Sequence, residues 1–201
     1  MSPLFISLEG VDGSGKSTQA RLLVEALGGG TVAIREPGGT DAAERIRTLL
    51  ADPEVELEPV AELMLFLAAR ADLTERVIRP ALEAGRNVVA DRFSDSSVAY
   101  QGAARGLGVG EVIGLCEIAT DGLWPDLTLL LRLDPETGLG RAESDDRFEQ
   151  EGLGLQQAVA EAYEEIAQIA SDRVVVIDAS GSVEEVHERV MDAVNARVGA
   201  A

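Results

Sequence analysis

Five short runs of nearly continuous apolar character punctuate the chain, at 4–9, 31–35, 87–91, 127–133 and 173–177. Each is rich in β-branched residues or leucine, as strands covered on both faces should be. Between and beyond them the apolar positions recur at helical spacing, predicting helices over 16–27, 41–51, 59–84, 109–121, 153–171 and 182–197. Pro59 suits a first turn, Gly85 closes the long third stretch, and Pro80 breaks that stretch in two. No repeat, low-complexity tract or Pro/Ser linker interrupts this order, so one domain over 1–201 is expected. Repeated β-α units imply an α/β fold of three layers, a parallel five-stranded sheet with helices on both faces. Ligands on such sheets bind beyond the carboxyl ends of the strands. That rule points to Glu9-Gly10, Arg35-Glu36, Asp91-Arg92 and Asp134.

Composition then narrows the class. Apolar residues make up 46% of the 201, yet no run approaches the roughly 18–20 residues of a membrane span. The N-terminus lacks a basic region followed by an apolar stretch, and Cys116 is the only cysteine. Both observations lead us to expect a cytoplasmic protein without disulfides. The formal charge of −19 argues against a nucleic-acid partner, because a broad acidic surface repels a polyanion. It would repel a small phosphorylated ligand as well, so any such site must gather its own positive cluster. Sixteen of the basic residues are Arg and one, Lys16, is Lys. A lone lysine in an arginine-biased chain is either a chance survivor or a position guanidinium cannot fill.

The residues around Lys16 decide between these. Gly10-Val11-Asp12-Gly13-Ser14-Gly15-Lys16-Ser17 satisfies G-x-x-x-x-G-K-[ST] after a predicted strand and before a predicted helix. The glycines let backbone N–H groups turn inward around a phosphate, and the helix N-terminus adds partial positive charge. Lys16 would reach the β/γ oxygens of a nucleoside triphosphate, and the Ser17 hydroxyl would join a Mg2+ shell. No second lysine exists for a guanine-binding Asn-Lys-x-Asp signature, which favours a small-molecule kinase over a GTPase.

Other candidates are weaker alone. Arg35-Glu36-Pro37-Gly38-Gly39-Thr40 is either a plain strand-to-helix loop or a turn bringing backbone close to a ligand, with Arg47 on the following helix aimed at the same cleft. Asp91-Arg92 is either a surface ion pair or a Mg2+-orienting carboxylate beside a phosphate-clamping guanidinium. Phe66 and Arg70 share a helix face, as core or as a stacking and hydrogen-bonding pair for a planar base. The segment 134–152 is rich in Gly and charge and reads as a solvated loop or a lid. His187 reads as a solvated surface residue, Cys116 as core, and Trp124 as marking a turn into the fourth strand.

Taken in order, these segments resemble bacterial thymidylate kinase. The resemblance rests on the P-loop from Glu9 to Thr18, Arg35-Glu36-Pro37-Gly38-Gly39, Phe66 with Arg70, Asp91-Arg92-Phe93, Tyr100-Gln101-Gly102, Arg105-Gly106, Trp124 to Thr128, and Ile177-Asp178-Ala179. It implies a P-loop nucleoside monophosphate kinase fold with a short lid over about 135–152, and the reaction ATP + dTMP → ADP + dTDP with Mg2+. By the same resemblance Asp12 lies near the sugar 3′-OH and the metal, and Arg92 clamps the dTMP phosphate. Arg35, Glu36, Pro37 and Arg47 line the phosphate side, Phe66 stacks on thymine, and Arg70 donates to its O4. Ser97 and Gln101 meet the base's polar edge, and Tyr100 fills the space of a ribose 2′-OH. Asp178 and Ala179 fall near adenine, and the protein is a homodimer. Gly13 and Ser14 stand where some relatives carry a P-loop Arg, so the missing charge is expected from the lid, Arg147 first and Arg141 second. The rivals are a kinase for another (deoxy)nucleotide and a slow nucleotide-dependent switch.

Overall fold

The computed structural model describes residues 2–141 and 152–200. Five strands, β1 (Phe5–Glu9), β2 (Val32–Arg35), β3 (Val88–Asp91), β4 (Leu127–Arg132) and β5 (Val174–Asp178), form one sheet in the order β2-β3-β1-β4-β5, every pairing parallel. Each strand lies within a residue or two of its expected run. Helices α1 (Lys16–Leu27), α2 (Asp41–Ala51), α3 (Pro59–Leu73), α4 (Arg79–Glu83), α5 (Ser94–Ser97), α6 (Val109–Thr120), α7 (Pro135–Leu139), α8 (Gly152–Ile169) and α9 (Val183–Ala200) make up the crossovers and the C-terminal cover.

Alternation along the strands supplies two cores. Phe5, Val88 and Ala90 join Ile34, Leu73, Ile78 and Phe93 on one side, where Phe5 and Phe93 meet edge to face at 4.8 Å. Ile6, Leu8 and Val89 face the other way, into a larger cluster with Val112, Tyr163 and Val190. Register then aligns the site. Arg35 and Leu8 both sit opposite Asp91, so β1, β2 and β3 deliver Glu9, Arg35 and Asp91 to one end of the sheet.

Three stretches differ from the sequence expectation. The stretch 59–84 is not simply broken at Pro80: α3 passes through a π-turn at Thr74–Ile78, and Pro80 sits in the first turn of α4, where its missing N–H costs nothing. Residues after β3, left unassigned by periodicity, form α5 and a second π-turn, Val98–Ala104. The lid segment begins not as open loop but as α7, capped by Asp134, whose Oδ2 accepts from Thr137 N at 2.9 Å.

Candidate active site

The P-loop closes around its own lysine. Gly15, in the left-handed region, starts α1, and Lys16 Nζ donates to Val11 O at 2.7 Å and Gly10 O at 3.1 Å. Burial, then the nearby Arg92 charge, pulls the Lys16 ammonium down to about 8. Ser17 Oγ donates to Asp91 Oδ2 at 2.5 Å. That hydroxyl–carboxylate pair offers hard oxygens of the kind Mg2+ prefers. Among the described residues no cluster of three or more His, Cys, Asp or Glu could cage a metal. The donor set therefore fits an ion that keeps waters and phosphate oxygens in its shell.

Asp12 and Arg92 form the centre. Arg92 leaves β3 with φ +71, an uncommon conformation for a side-chain-bearing residue that turns it back toward the P-loop. Its Nη2 binds Asp12 Oδ1 and reaches Tyr100 Oη at 3.3 Å. Nη1 reaches Ser96 Oγ at 3.2 Å, and the guanidinium lies over the Tyr100 ring. Burial alone would raise the Asp12 carboxyl, but Arg92 and Lys16 overcome it and hold it below the usual carboxylate range. Burial pushes the Tyr100 phenol up to about 12, so it stays a neutral donor.

Behind this pair stands Glu9, fully buried. It accepts from Phe93 N at 2.7 Å, Ser96 Oγ at 2.6 Å and Tyr163 Oη at 2.8 Å. Desolvation, then the Asp95 charge, raises the Glu9 carboxyl to about 7. Gln156 is not singled out by sequence, since no motif includes it. It is buried against the P-loop: Nε2 donates to Asp12 Oδ2 at 2.6 Å and Oε1 accepts from Asp12 N at 3.1 Å.

The cleft is a cavity of about 800 Å³ lined by Lys16, Ser17, Arg92, Phe66, Arg70 and Gln101 among others. Arg70 forms its floor, 1% exposed. Glu36 Oε2 takes Nε and Nη2, Ser97 Oγ and Cys116 Sγ take Nη1, and Phe93 O takes Nη2. The thiol, at 3.6 Å, is the weakest of these partners. Glu36 Oε1 is buried with no hydrogen-bond partner among the described residues, and burial raises this carboxyl despite Arg70. Arg47 and Arg35 both approach Pro37 O, whose preceding peptide bond is cis. Among the described residues, seven basic side chains line the cleft against three acidic ones, Asp12, Glu36 and Asp91. An acidic chain has concentrated its cations here.

Some expectations fall elsewhere. Asp178 and Ala179 do not line the cleft; Asp178 shapes the turn after β5 by accepting from Ser180 N, and Gly181, Ser182 and Val183 form the wall instead. Arg141 is an exposed residue on the cleft rim, whereas Arg147 lies outside the described residues. His187 is not simply solvated: its Nδ1 is 3.0 Å from Gln19 Oε1. Cys116 is core, and Trp124 stacks under Arg173 just before β4.

Comparison with known proteins matches this arrangement. A family model described as thymidylate kinase covers residues 8–190. Thymidylate kinase of Symbiobacterium thermophilum is 48% identical over 193 residues, spanning 93% of this chain and 90% of that one. The enzyme of Jannaschia sp. is 44% identical over 209 residues, spanning both chains completely. A crystal structure of thymidylate kinase from Ehrlichia chaffeensis superposes with a TM-score of 0.82 at 30% identity, covering 97% of this chain and all of that one. With 183 consecutive residues matched and Lys16, Arg92, Phe66, Arg70 and Gln101 in one cleft, the chain belongs to the thymidylate kinase family.

Proposed function

We propose that the chain transfers the terminal phosphoryl group of ATP to dTMP with the following division of labour. Lys16 and the P-loop N–H groups hold the donor phosphates, and Arg92, positioned by Asp12 and Tyr100, takes the acceptor phosphate together with Arg35 and Arg47. Phe66 stacks on the base, Ser97 and Gln101 meet its polar edge, and Arg70 redirects the N–H now on the Cys116 sulfur to the base O4. Transfer between two polyanions needs in-line positioning and charge compensation rather than covalent help. Mg2+, when bound, neutralises charge on the terminal phosphates, with Ser17, Asp91 and Asp12 as the residues that hold it, partly through water. Arg147 supplies the remaining lid charge, with Arg141 as second candidate.

The observation that carries this reading is a single cleft holding both Lys16 and the Phe66–Arg70–Gln101 set. ADP release measured across dTMP, dUMP, dCMP, AMP and GMP should be fastest with dTMP; equal rates with a purine would discard the assignment. Arg92→Ala should lower kcat on the order of 100-fold, the loss of one transition-state charge contact of about 3 kcal/mol. Arg147→Ala should lower kcat far more than it raises KM for dTMP, and near-normal turnover would discard the lid-arginine assignment. The reading also includes a homodimer and a cytoplasmic location. Val60 and Met64 on α3 and Ile118 on α6 are exposed apolar residues on helices that pack together. Ile118→Asp should therefore sediment as a monomer where the unaltered chain sediments as a pair.

A further inference from the structure

A carboxamide presents one acceptor and two donor hydrogens, and nothing in the side chain itself decides which end faces a ligand. At the base end of the cleft that choice belongs to Gln101, which is 3% exposed. Its Nε2 lies 3.0 Å from Glu62 Oε1. A carboxylate only accepts, so the NH2 must turn toward Glu62 and Oε1 is left for the cleft. Glu62 is itself 1% exposed and sits on α3, four and eight residues before Phe66 and Arg70, on the same helix face. Arg105 grips it as a fork, Nε to Oε1 at 2.7 Å and Nη2 to Oε2 at 3.1 Å, which fixes the plane of the carboxylate. Arg70 can only donate. Of the groups whose direction is fixed at this end wall, Gln101 Oε1 accepts and the Arg70 guanidinium donates, while the Ser97 hydroxyl, which accepts from Arg70 Nη1, can turn either way.

We propose that Glu62 is a specificity-determining residue. By setting the polarity of the Gln101 amide it makes the cleft accept a ring N–H and donate to a ring carbonyl, the pattern of a 4-oxo pyrimidine. This rests on the reading that the base lies between Phe66, Arg70 and Gln101. A 4-amino pyrimidine reverses both groups: its N3 lone pair would meet Oε1 and its amino group would meet Arg70. A buried site with polar groups left mispaired rejects such an analogue far more strongly than one lacking a methyl group.

The test compares kcat/KM for dTMP with that for 5-methyl-2′-deoxycytidine monophosphate, which differs from dTMP only in the groups at ring positions 3 and 4. The unaltered protein should favour dTMP by about 10⁴-fold. Glu62→Gln gives Gln101 a neighbour that can donate or accept, so its amide turns over freely and the ratio should fall about 10- to 100-fold. In a Gln101→Ala background the same Glu62→Gln change should move the ratio by less than about threefold, because the reader is gone. Thermal melting reports whether each variant is folded. If Glu62→Gln is not, Glu62→Asp, which keeps a charge for Arg105 but withdraws the acceptor by one methylene, should give the same two results. A folded variant whose ratio stays within threefold of the unaltered protein overturns the proposal. So does an equal shift with and without Gln101, which would make Glu62 merely structural. An unaltered protein with no preference for dTMP sinks the placement of the base itself, before any variant is read.

Discussion

Lys16 shows how far a single residue can be read from sequence and where reading stops. Motif and composition both single it out, but only the fold turns Nζ back onto Val11 O and Gly10 O and buries it. With its ammonium drawn down to about 8, a growing fraction of the free protein is neutral there as pH rises. Donor phosphates would favour the charged form. ATP affinity should therefore weaken as pH climbs through about 8, and titration calorimetry in buffers of different ionisation heat should show proton uptake near pH 8 that fades below about 7. Glu9 is the opposite case. Nothing local marks it as a carboxyl to be buried and raised to about 7 from an ordinary value of 4.5. A raised carboxyl contributes stability that is fully present below the unfolded value and is lost as pH rises through the folded one. Here that is a loss on the order of 3 kcal/mol between about pH 4.5 and 7. Glu9→Gln mimics the protonated form, so its melting temperature should lack most of the decline that the unaltered protein shows from pH 5 to 7.5.

Among the elements, α7 and α8 matter most, because they flank the segment 142–151 and both end on Asp12. From α7, Gly138 meets the P-loop backbone: a Cβ at Gly138 would collide with Asp12 O, and one at Gly13 would collide with Gly138 O. From α8, Gln156 holds the amide and the carboxylate of the same Asp12. Gln156→Glu would set two carboxylates against each other, a pair that must share a proton to keep the contact. Its kcat should fall at least about tenfold at pH 8 and recover toward pH 5.5, where the shared proton replaces the amide N–H. Gln156→Leu should fall without recovering. Identical pH profiles for the two variants would remove Asp12 from the chain of effects. Neither π-turn was legible, since one extra residue per turn hardly changes the apolar spacing. Helix α7 was hidden because a charged, Gly-containing segment reads as loop until the P-loop it packs against is known.

The whole molecule carries −19, yet its cleft is lined by seven basic and three acidic side chains among the described residues. Long-range repulsion and short-range attraction therefore act on the same nucleotide. Screening over about 10 Å at 0.1 M salt weakens the diffuse repulsion before it reaches the enclosed cations. The association rate of ATP, followed by stopped flow, should rise a few-fold between about 10 and 100 mM salt. A rate that falls from the start would mean that the cluster, not the acidic surface, governs approach.

The order of the strands and longer helices, the phosphate loop and the family resemblance were determined by sequence alone, because each depends on near neighbours: alternation, helical spacing, and glycines and a lysine within eight residues. Tertiary structure decided the rest. Asp12 and Gln156 are 144 positions apart, Glu9 and Tyr163 are 154, and Glu62 and Gln101 are 39. No local pattern encodes which polar groups will be buried together, yet burial is what gives a carboxylate or an amide its charge, its direction and its use.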